Sequence, residues 1–371
     1  MPLINHSDYK ERTIEGRYVT LEILRKRWFA NLDPSTLQNI GTSVEGDTIK
    51  SITLGNGDKR VLMWSQMHGN ESTTTKAVMD MINFVTSDDE LAKAINERCT
   101  ILVIPILNPD GAKRYTRVNA NTVDLNRDAK LLTQPESVTL RNVFEEFKPD
   151  YCFNLHDQRT LFSAGKTEKP ATVSFLSPSS DSERNVTPTR ETAMKLIVAM
   201  NNMLQKEIPG QVGRYDDAFN DNCVGDFFQM KEVPTILFEA GHYPKDYHRE
   251  KTREFIFQSL LEGLDIIAHE KVEGFKTDDY FEIPENEKLF YDVLIKNPQV
   301  VNPNLNPSHC IGIRFKEVLK EKAILFVPEI VGIHELKECF GHETFDCSQQ
   351  KDFEALSFRK EILNLIIITE Q

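Results

Sequence analysis

The feature that most constrains this sequence is an alternation of short apolar runs with longer helical patterns. The apolar runs occupy residues 61–67, 100–107, 150–155 and 233–238, and the helical patterns occupy residues 72–85, 136–147, 190–206 and 249–269. Strands that alternate with helices predict an α/β fold, with a mixed, mostly parallel sheet flanked by helices. Ligands of such sheets bind just beyond the carboxyl ends of the strands. The polar residues that directly follow the apolar runs are therefore the candidate site.

The pattern changes after about residue 272. Short β-like runs appear there between Pro, Asn, Gly and charged residues, at 290–298, 309–315, 322–330 and 363–369. We expect no long helix in this part of the chain, only a turn near 351–361. The sequence thus predicts an α/β domain over residues 1–272 and a smaller β-rich domain, of unknown role, over residues 273–371.

Charge and cysteine content limit the partners and the compartment. The chain has 371 residues, a formal net charge of −13 and six scattered cysteines. Nucleic acids and anionic membranes repel such a protein, so we expect neither as a partner. No run reaches the ~18–20 apolar residues that cross a bilayer, and the start lacks the pattern of a signal peptide. Scattered thiols without a disulfide framework then predict a cytoplasmic protein.

Two histidines and a glutamate follow apolar runs. His68 and Glu71 stand three residues apart after the first run, and His156 directly follows the run at 150–155. Two His and one Glu form the ligand set of a catalytic zinc site, which keeps one coordination position open. Zinc would lower the pKa of a water there and polarise a carbonyl. His-x-x-Glu alone is a weak signal, because a lone histidine is more often structural.

Two further segments carry charge at strand ends. Asn126-Arg127 suits a substrate carboxylate, since the guanidinium offers a planar fork that binds carboxylates through two hydrogen bonds. The alternative is a solvated surface loop. Glu239 ends the run at 233–238, where a carboxylate is costly unless it points into a site. The alternative for Glu239 is a salt bridge on an edge strand.

In their order along the chain, these motifs resemble the zinc carboxypeptidase family, in a bacterial-type form with a small C-terminal domain. The series is HGNE, NPDG, an Arg ahead of VDLNR, NLH and a strand that ends in Glu, over roughly residues 50–270. The resemblance implies one zinc per chain, with His68, Glu71 and His156 as ligands. It also implies that Asp124 accepts a hydrogen bond from the ring of His68 and fixes its tautomer.

The resemblance also implies the catalytic roles. Arg117 would stabilise the oxyanion, and reasoning from the residues alone does not choose it over Arg114. Asn126 and Arg127 would hold the C-terminal carboxylate of the substrate. Glu239 would be the general base that takes a proton from the attacking water and passes it to the leaving amine.

Three positions depart from the family pattern. The family places a Tyr on a mobile loop before the catalytic Glu, and here Tyr215 and Phe219 both lie near that place. Tyr215 is the substrate-binding candidate, although spacing slightly favours Phe219. The residue lining the side-chain pocket falls near Gly225, with no carboxylate clearly placed to select basic side chains. Asp128 stands where many members have Asn.

Two other histidine-containing segments have less specific interpretations. His242 can line the site or cap a turn, and we favour the turn. A second zinc at Cys339, His342 and Cys347 fits no standard spacing, and cysteine is commonly a small buried hydrophobe.

The sequence therefore predicts a metallocarboxypeptidase that acts on short peptides with a free C-terminal carboxylate. The alternative is an amidohydrolase of N-acyl amino acids, of the aspartoacylase or desuccinylase kind, which shares HGNE, the Asn-Arg pair and a small β-rich C-terminal domain. NPDG and RVNAN favour the carboxypeptidases. A non-catalytic binding protein is a third possibility, against which the presence of all three ligands and Glu239 argues. The sequence does not give the oligomeric state.

Overall fold

The computed structural model describes residues 4–335 and 338–369. Its strands are β1 (Leu37–Thr42), β2 (Thr48–Leu54), β3 (Lys59–Trp64), β4 (Cys99–Ile104), β5 (Tyr151–Asp157), β6 (Ser163–Ala164), β7 (Val173–Leu176), β8 (Val212–Arg214), β9 (Thr235–Ala240), β10 (Asn286–Glu287), β11 (Phe290–Lys296), β12 (Cys310–Lys320), β13 (Ala323–His334) and β14 (Phe340–Asp346). Its α-helices are α1 (Leu21–Arg27), α2 (Thr73–Val85), α3 (Glu90–Arg98), α4 (Pro109–Arg114), α5 (Pro135–Phe147), α6 (Pro188–Leu204), α7 (Val224–Met230), α8 (Glu250–Ala268), α9 (Asp278–Phe281), α10 (Gln350–Ser357) and α11 (Lys360–Ile368). Single 3₁₀ turns lie at His6–Asp8, Phe29–Asn31, Pro34–Thr36, Leu125–Arg127, Val272–Gly274 and Pro298–Val300.

The main sheet confirms the predicted α/β fold. Within the described residues it has eight strands in the order β1-β2-β4-β3-β5-β9-β7-β8. The central strands β4, β3, β5 and β9 run parallel to one another, while β1, β2 and the β7–β9 pair are antiparallel. The four apolar runs predicted to be strands correspond to β3, β4, β5 and β9. Because the central strands are parallel, the carboxyl ends of β3, β5 and β9 meet at one edge of the sheet.

Helices cover both faces of this sheet. On one face α2, α6 and α8 pack on the strands and bury the larger apolar core. On the other face α5 and α7 bury a smaller core around Trp64 and Phe228. A buried ion pair links α2 to α8, since Arg253 Nε and Nη2 each lie 2.6 Å from the carboxylate of Asp80. The predicted helices 72–85, 136–147, 190–206 and 249–269 correspond to α2, α5, α6 and α8.

The C-terminal part forms a separate sheet in the order β13-β12-β11-β14, as the sequence predicts. One prediction there is wrong, because residues 363–369 fall mostly in helix α11 rather than in a strand. Ile362 and Ile366, four residues apart, face the core of this sheet, while Ile367 and Ile368 are exposed. That spacing is helical, and the β-branched composition concealed it. Helix α10 covers most of the turn expected near 351–361. The domain boundary at residue 272 stays a prediction.

Polar contacts join the C-terminal sheet to the larger one. The buried carboxylate of Asp292, on β11, accepts hydrogen bonds from the Tyr247 hydroxyl at 3.0 Å, the Thr160 hydroxyl at 3.2 Å and the Phe315 amide at 2.8 Å. Glu317, on β12, pairs with Arg17 at 3.1 Å and accepts a hydrogen bond from the Tyr115 hydroxyl. These contacts hold β11 and β12 against the segments that follow β5 and β9.

No helix of the described residues is long and apolar enough to cross a membrane. The six cysteines, all within the described residues, form no disulfide with one another.

Candidate active site

The site lies where β3, β5 and β9 end. In the parallel pair β5–β9, His156 lies opposite Glu239, so one strand register places both side chains at the same level of the sheet. His68 and Glu71 lie in the turn after β3, and the Glu71 amide donates to the carbonyl of His68 at 3.0 Å. The sheet topology therefore brings together four residues from three segments that are far apart in the sequence.

Close packing explains the glycine of HGNE. A Cβ on Gly69 would lie 1.9 Å from the carbonyl carbon of Gly111, so no other residue fits without moving the backbone. Gly111 belongs to α4, the helix formed by the NPDG segment. Asn108 caps α4 by accepting from the Gly111 amide at 2.8 Å, and it donates to the carbonyl of Met67 at 3.1 Å. NPDG thus supports the turn that carries His68 and Glu71.

His68, Glu71 and His156 form the one cluster of potential metal ligands in the described residues. The two Nδ1 atoms lie 3.1 Å apart, His68 Nδ1 lies 2.8 Å from Glu71 Oε1, and His156 Nδ1 lies 2.9 Å from Glu71 Oε2. Two imidazole nitrogens and a carboxylate at this spacing can share one cation, and they match the His₂Glu set of zinc sites. If both rings are neutral and each directs the lone pair of its Nδ1 towards Glu71, the ionised carboxylate has no proton to donate to either ring. Glu71 alone therefore cannot satisfy the two nitrogens.

Asp124 lies beside the ring of His68, where it can fix the tautomer of that ring. Its carboxylate lies 3.0 Å from Nε2 of His68, which leaves Nδ1 of that ring to face Glu71 and His156. Arg117 donates to Asp124 at 3.1 Å and to Glu71 at 3.2 Å, so its guanidinium lies beside the ligand cluster. Burial opposes ionisation of Asp124, but the hydrogen bond and charge of His68, together with Arg117, hold its pKa below the ordinary value. Arg114 instead pairs with Glu45 and does not line the cleft.

Glu239 is buried, and its Oε2 has no hydrogen-bond partner among the described residues. Burial, reinforced by the nearby charges of Glu71 and Asp157, raises the pKa of this carboxyl well above its ordinary value. A raised pKa suits a group that must accept a proton and return it. Glu239 lines the cleft, so a water or a substrate there can hydrogen-bond to this oxygen.

No sequence pattern indicated the residues that hold the strand ends in place. Buried Arg249 has a left-handed backbone, with φ of 61°, and donates to the carbonyls of Ala240 at 2.6 Å and Gln158 at 2.9 Å. It thereby ties the end of β5 to the end of β9. Asp157 accepts from the amides of Thr73 and Thr74 at the start of α2.

The Asn-Arg pair lies beside α7. Asn126 Oδ1 accepts from the Val224 amide at 3.1 Å, and the Asn222 side chain donates to the carbonyl of Arg127. Arg127 is exposed and lines the cleft, and its Nη1 donates to the carbonyl of Asn126 at 2.7 Å. The other N–H groups of the guanidinium are available to a carboxylate. Asp128 is buried and accepts from the amides of Thr133 and Gln134, so it shapes the loop before α5.

Tyr215, not Phe219, lines the cleft. The ring of Tyr215 packs edge-on against Phe162, and burial together with Glu239 and Glu71 raises the pKa of its hydroxyl. Asp226, next to Gly225, also lines the cleft and accepts from the Asn220 amide at 3.2 Å. Burial raises its pKa to about 7. A carboxylate is thus present near the expected side-chain pocket, where the sequence showed none clearly placed.

His242 neither lines the cleft nor caps a turn. Its ring is buried against Tyr247 and lies 4.2 Å from the ring of His342, between the two sheets. His342 stacks on Phe290, and its Nε2 lies 2.7 Å from the carbonyl of Thr160. Among the described residues, Cys339, His342 and Cys347 form no metal-binding group.

All of the sequence-predicted site residues except Asp124 line one cleft of about 810 Å³. That volume is within the range of small-molecule pockets. Residues that the sequence did not single out also line it, from the N-terminal segment, the end of α4, the segment after β5 and the C-terminal sheet with the residue before β11: Arg17, Tyr115, Arg159, Lys288, Asp292, Arg314, Lys316, Glu317, Glu329 and Val331.

Comparison with known families supports the motif series. The family model described as zinc carboxypeptidase matches residues 22–223, more than half of the chain. The chain belongs to the zinc carboxypeptidase family. This is a family of zinc-dependent hydrolases that act on peptide bonds, and the ligand set found here fits that metal.

The chain is similar to carboxypeptidase 2 of Trichophyton rubrum, with 27% identity over 114 residues, which cover 30% of this chain and 20% of that protein. It is also similar to carboxypeptidase SOL1 of Arabidopsis thaliana, with 32% identity over 103 residues, which cover 25% of this chain and 21% of that protein. The chain therefore spans about a fifth of the length of these relatives.

Solved structures of zinc carboxypeptidases share the fold. Carboxypeptidase A from Helicoverpa armigera matches with a TM-score of 0.51 and 17% identity, over 69% of this chain and 74% of the other. A metallo-carboxypeptidase from Burkholderia cenocepacia matches with a TM-score of 0.51 and 17% identity, over 63% of this chain and 65% of the other.

Proposed function

We propose that this protein is a zinc-dependent carboxypeptidase that removes the C-terminal residue of short peptides. One zinc ion per chain would be held by His68, Glu71 and His156. The observation that carries the proposal is the convergence of these ligand atoms within 4.8 Å of one another, in a cleft that also contains Glu239 and Arg127.

Each residue of the cleft has a physical role in this reaction. When bound, zinc would polarise the scissile carbonyl and activate a water. The carboxylate of Glu239 takes a proton from the attacking water and later donates it to the leaving amine. Arg117 stabilises the oxyanion as the carbonyl becomes tetrahedral. Asn126 and Arg127 hold the free carboxylate of the substrate, and the Tyr215 hydroxyl is available to donate a hydrogen bond to the peptide.

Metal content is the first test. The purified protein should contain about one zinc per chain, and dialysis against a chelator should abolish hydrolysis until zinc is restored. His156→Ala should lose both the metal and the activity. Full activity in rigorously metal-free protein would contradict the proposal.

Substrate length separates the proposal from its alternative, an amidohydrolase of N-acyl amino acids. That alternative has one structural argument in its favour, since the C-terminal sheet lines the cleft and leaves less room for a long substrate. Acetylated peptides of two, three and four residues should all be cleaved by a peptidase. A hydrolase with a closed acyl pocket should cleave only the N-acyl amino acid and reject the longer peptides.

We also infer a cytoplasmic location. The support is that the six cysteines, all within the described residues, form no disulfide with one another, as expected in a reducing compartment. Fractionation of cells that produce the protein tests this inference.

A further inference from the structure

The substrate cleft has two sides, built on opposite faces of the main sheet. Asn126 and Arg127 contact the segment that begins α7, which packs on one face. Glu317 contacts Arg17, whose carbonyl accepts from Ser72 at the start of α2, on the other face. The ligand cluster lies at the strand ends between them. The C-terminal sheet therefore lies across the metal ligands from Arg127.

This arrangement assigns a direction to the substrate. If Arg127 holds the C-terminal carboxylate, the scissile bond lies over the metal ligands. The part of the substrate on the amino side of that bond must then extend towards β11 and β12. This step rests on the proposed function, because it uses the role of Arg127.

Three cations line this amino side of the cleft. Arg159 follows β5, Lys288 precedes β11 and Arg314 lies on β12. Contacts between residues next to them join the three segments: the Thr160 hydroxyl donates to Asp292, Asp292 accepts from the Phe315 amide, and the Phe290 amide donates to the carbonyl of Leu161. None of the three cations pairs with a carboxylate within residues 4–335 and 338–369, and the Nε of Arg314 is buried without a hydrogen-bond partner.

The carboxylates on the same side already have partners. Asp292 accepts three hydrogen bonds, from Tyr247, Thr160 and Phe315. Glu317 is paired with Arg17, and Glu329 lies 3.2 Å from Lys316. Three cations that pair with no carboxylate of the described residues are thus concentrated in one cleft of a chain whose formal net charge is −13. The guanidinium of Arg314 lies over the ring of Tyr291, 5.5 Å from its centroid, and this contact leaves its charge uncompensated. Positive groups without a carboxylate partner, in one cleft, attract and bind an anionic ligand group.

We propose that Arg159, Lys288 and Arg314 form a subsite for a carboxylate carried by the substrate on the amino side of the scissile bond. The carboxylate can come from an acidic residue of a peptide or from a dicarboxylic acyl group. The protein would thus select substrates with two carboxylates, one bound by Arg127 and the other by the C-terminal sheet.

Matched substrates test this subsite on the zinc-loaded, full-length protein. One pair is two acetylated dipeptides that differ only in Glu or Gln before the same C-terminal residue, which is first chosen as the best cleaved in neutral peptides. The other pair is the succinyl and acetyl derivatives of one amino acid. If the carboxylate comes from an acidic residue, kcat/KM should be about tenfold or more higher for the Glu dipeptide than for the Gln dipeptide. If it comes from a dicarboxylic acyl group, kcat/KM should be about tenfold or more higher for the succinyl derivative than for the acetyl derivative.

Variants assign the preference to residues. Arg314→Ala should reduce the ratio of the two kcat/KM values towards one, Arg314→Lys should retain part of it, and Arg159→Ala should lower it independently. Lys320→Ala is the control, because it removes an exposed charge from the same strand outside the cleft. It should change neither the rate nor the ratio. A variant that folds poorly would lower kcat/KM for both substrates of a pair by the same factor, so the ratio of the two values would not change.

The outcomes are distinguishable. Zinc-dependent hydrolysis with a ratio near one in both pairs would overturn the subsite and leave the proposed function standing. A preference that survives in the Arg159→Ala, Arg314→Ala double variant would also overturn it. If the zinc-loaded protein cleaves none of the four substrates, the proposed function fails and the subsite fails with it.

Discussion

The side of the cleft that holds the candidate metal ligands and the side formed by the C-terminal sheet differ in how their residues are held. On the first side, the ring of His68 contacts both Glu71 and Asp124, and each of these residues follows a strand or a motif that is local in the sequence. On the second side, Arg159, Lys288 and Arg314 come from separate segments and have no carboxylate partner in the described residues. A tightly bonded site suits chemistry that needs fixed geometry, whereas unpaired cations suit a ligand that brings its own charge.

The largest effect should come from the first side, at Glu239. Glu239→Gln preserves the size of the side chain but removes the proton acceptor, and general base catalysis is typically worth ~10²–10⁴-fold. We expect kcat to fall by that factor while zinc content is unchanged. The exposed Glu183→Gln serves as the control and should keep the wild-type rate. A Glu239→Gln rate within threefold of wild type would place the base elsewhere.

Arg127 should show the next largest effect. Removing one partner of a charge-assisted pair in a partly dry site costs ~2–5 kcal/mol, so amidation of the peptide C-terminus should lower the wild-type kcat/KM on the order of 10²-fold. In Arg127→Ala the free acid and the amide should be cleaved nearly equally. Arg114→Ala, which removes an exposed guanidinium outside the cleft, should retain the preference. Equal cleavage of acid and amide by wild type would remove Arg127 from carboxylate binding.

These two predictions concern residues that could be identified from the sequence. The residues on the side formed by the C-terminal sheet could not be identified in this way, and the difference has a physical cause. The motifs around His68, His156 and Glu239 can be recognised because a polar residue directly after an apolar strand is unusual. This pattern is complete within a few residues of sequence. Arg314 lies in an ordinary alternating strand, and only the packing of β12 against the segment after β5 brings it to the cleft. Arg249 acts through a left-handed backbone conformation, which no local pattern predicts for an arginine. Tertiary contacts of this kind are not encoded within any one segment.

The junction between the two sides depends on Asp292. Asp292→Ala would leave the Tyr247 hydroxyl, the Thr160 hydroxyl and the Phe315 amide without their acceptor. Leaving buried donors unsatisfied costs about 1–3 kcal/mol, so the free energy of unfolding should fall by that amount in denaturant titrations. Asp88→Ala, in an exposed turn, should change it by less than about 0.5 kcal/mol. An unchanged free energy of unfolding in Asp292→Ala would show that the C-terminal sheet is held by other contacts.

The last prediction is a pH dependence of stability from His242 and His342, whose rings meet between the two sheets. Burial, with the charge of His342 and of Arg249, lowers the pKa of His242 well below its ordinary value. Burial likewise lowers the pKa of His342 to about 4. In the unfolded chain each would titrate near pH 6.5. Between about pH 6.5 and 4 the unfolded state therefore binds more protons than the folded state, and stability falls as the pH is lowered through this window.

The slope is about 1.4 kcal/mol per pH unit for each extra proton bound by the unfolded state. The free energy of unfolding, measured at pH 7.0, 6.0 and 5.0, should decline less steeply in His242→Phe than in wild type, because one of the two buried titrating rings is gone. Above pH 7 the two proteins should show parallel curves, since both rings are neutral in either state. His334→Gln, at an exposed position, should leave the wild-type slope unchanged. If His242→Phe and wild type lose stability equally between pH 7 and pH 5, protonation at the junction does not set the acid stability. The side with the metal ligands, whose histidines must also be deprotonated to bind zinc, would then account for the loss.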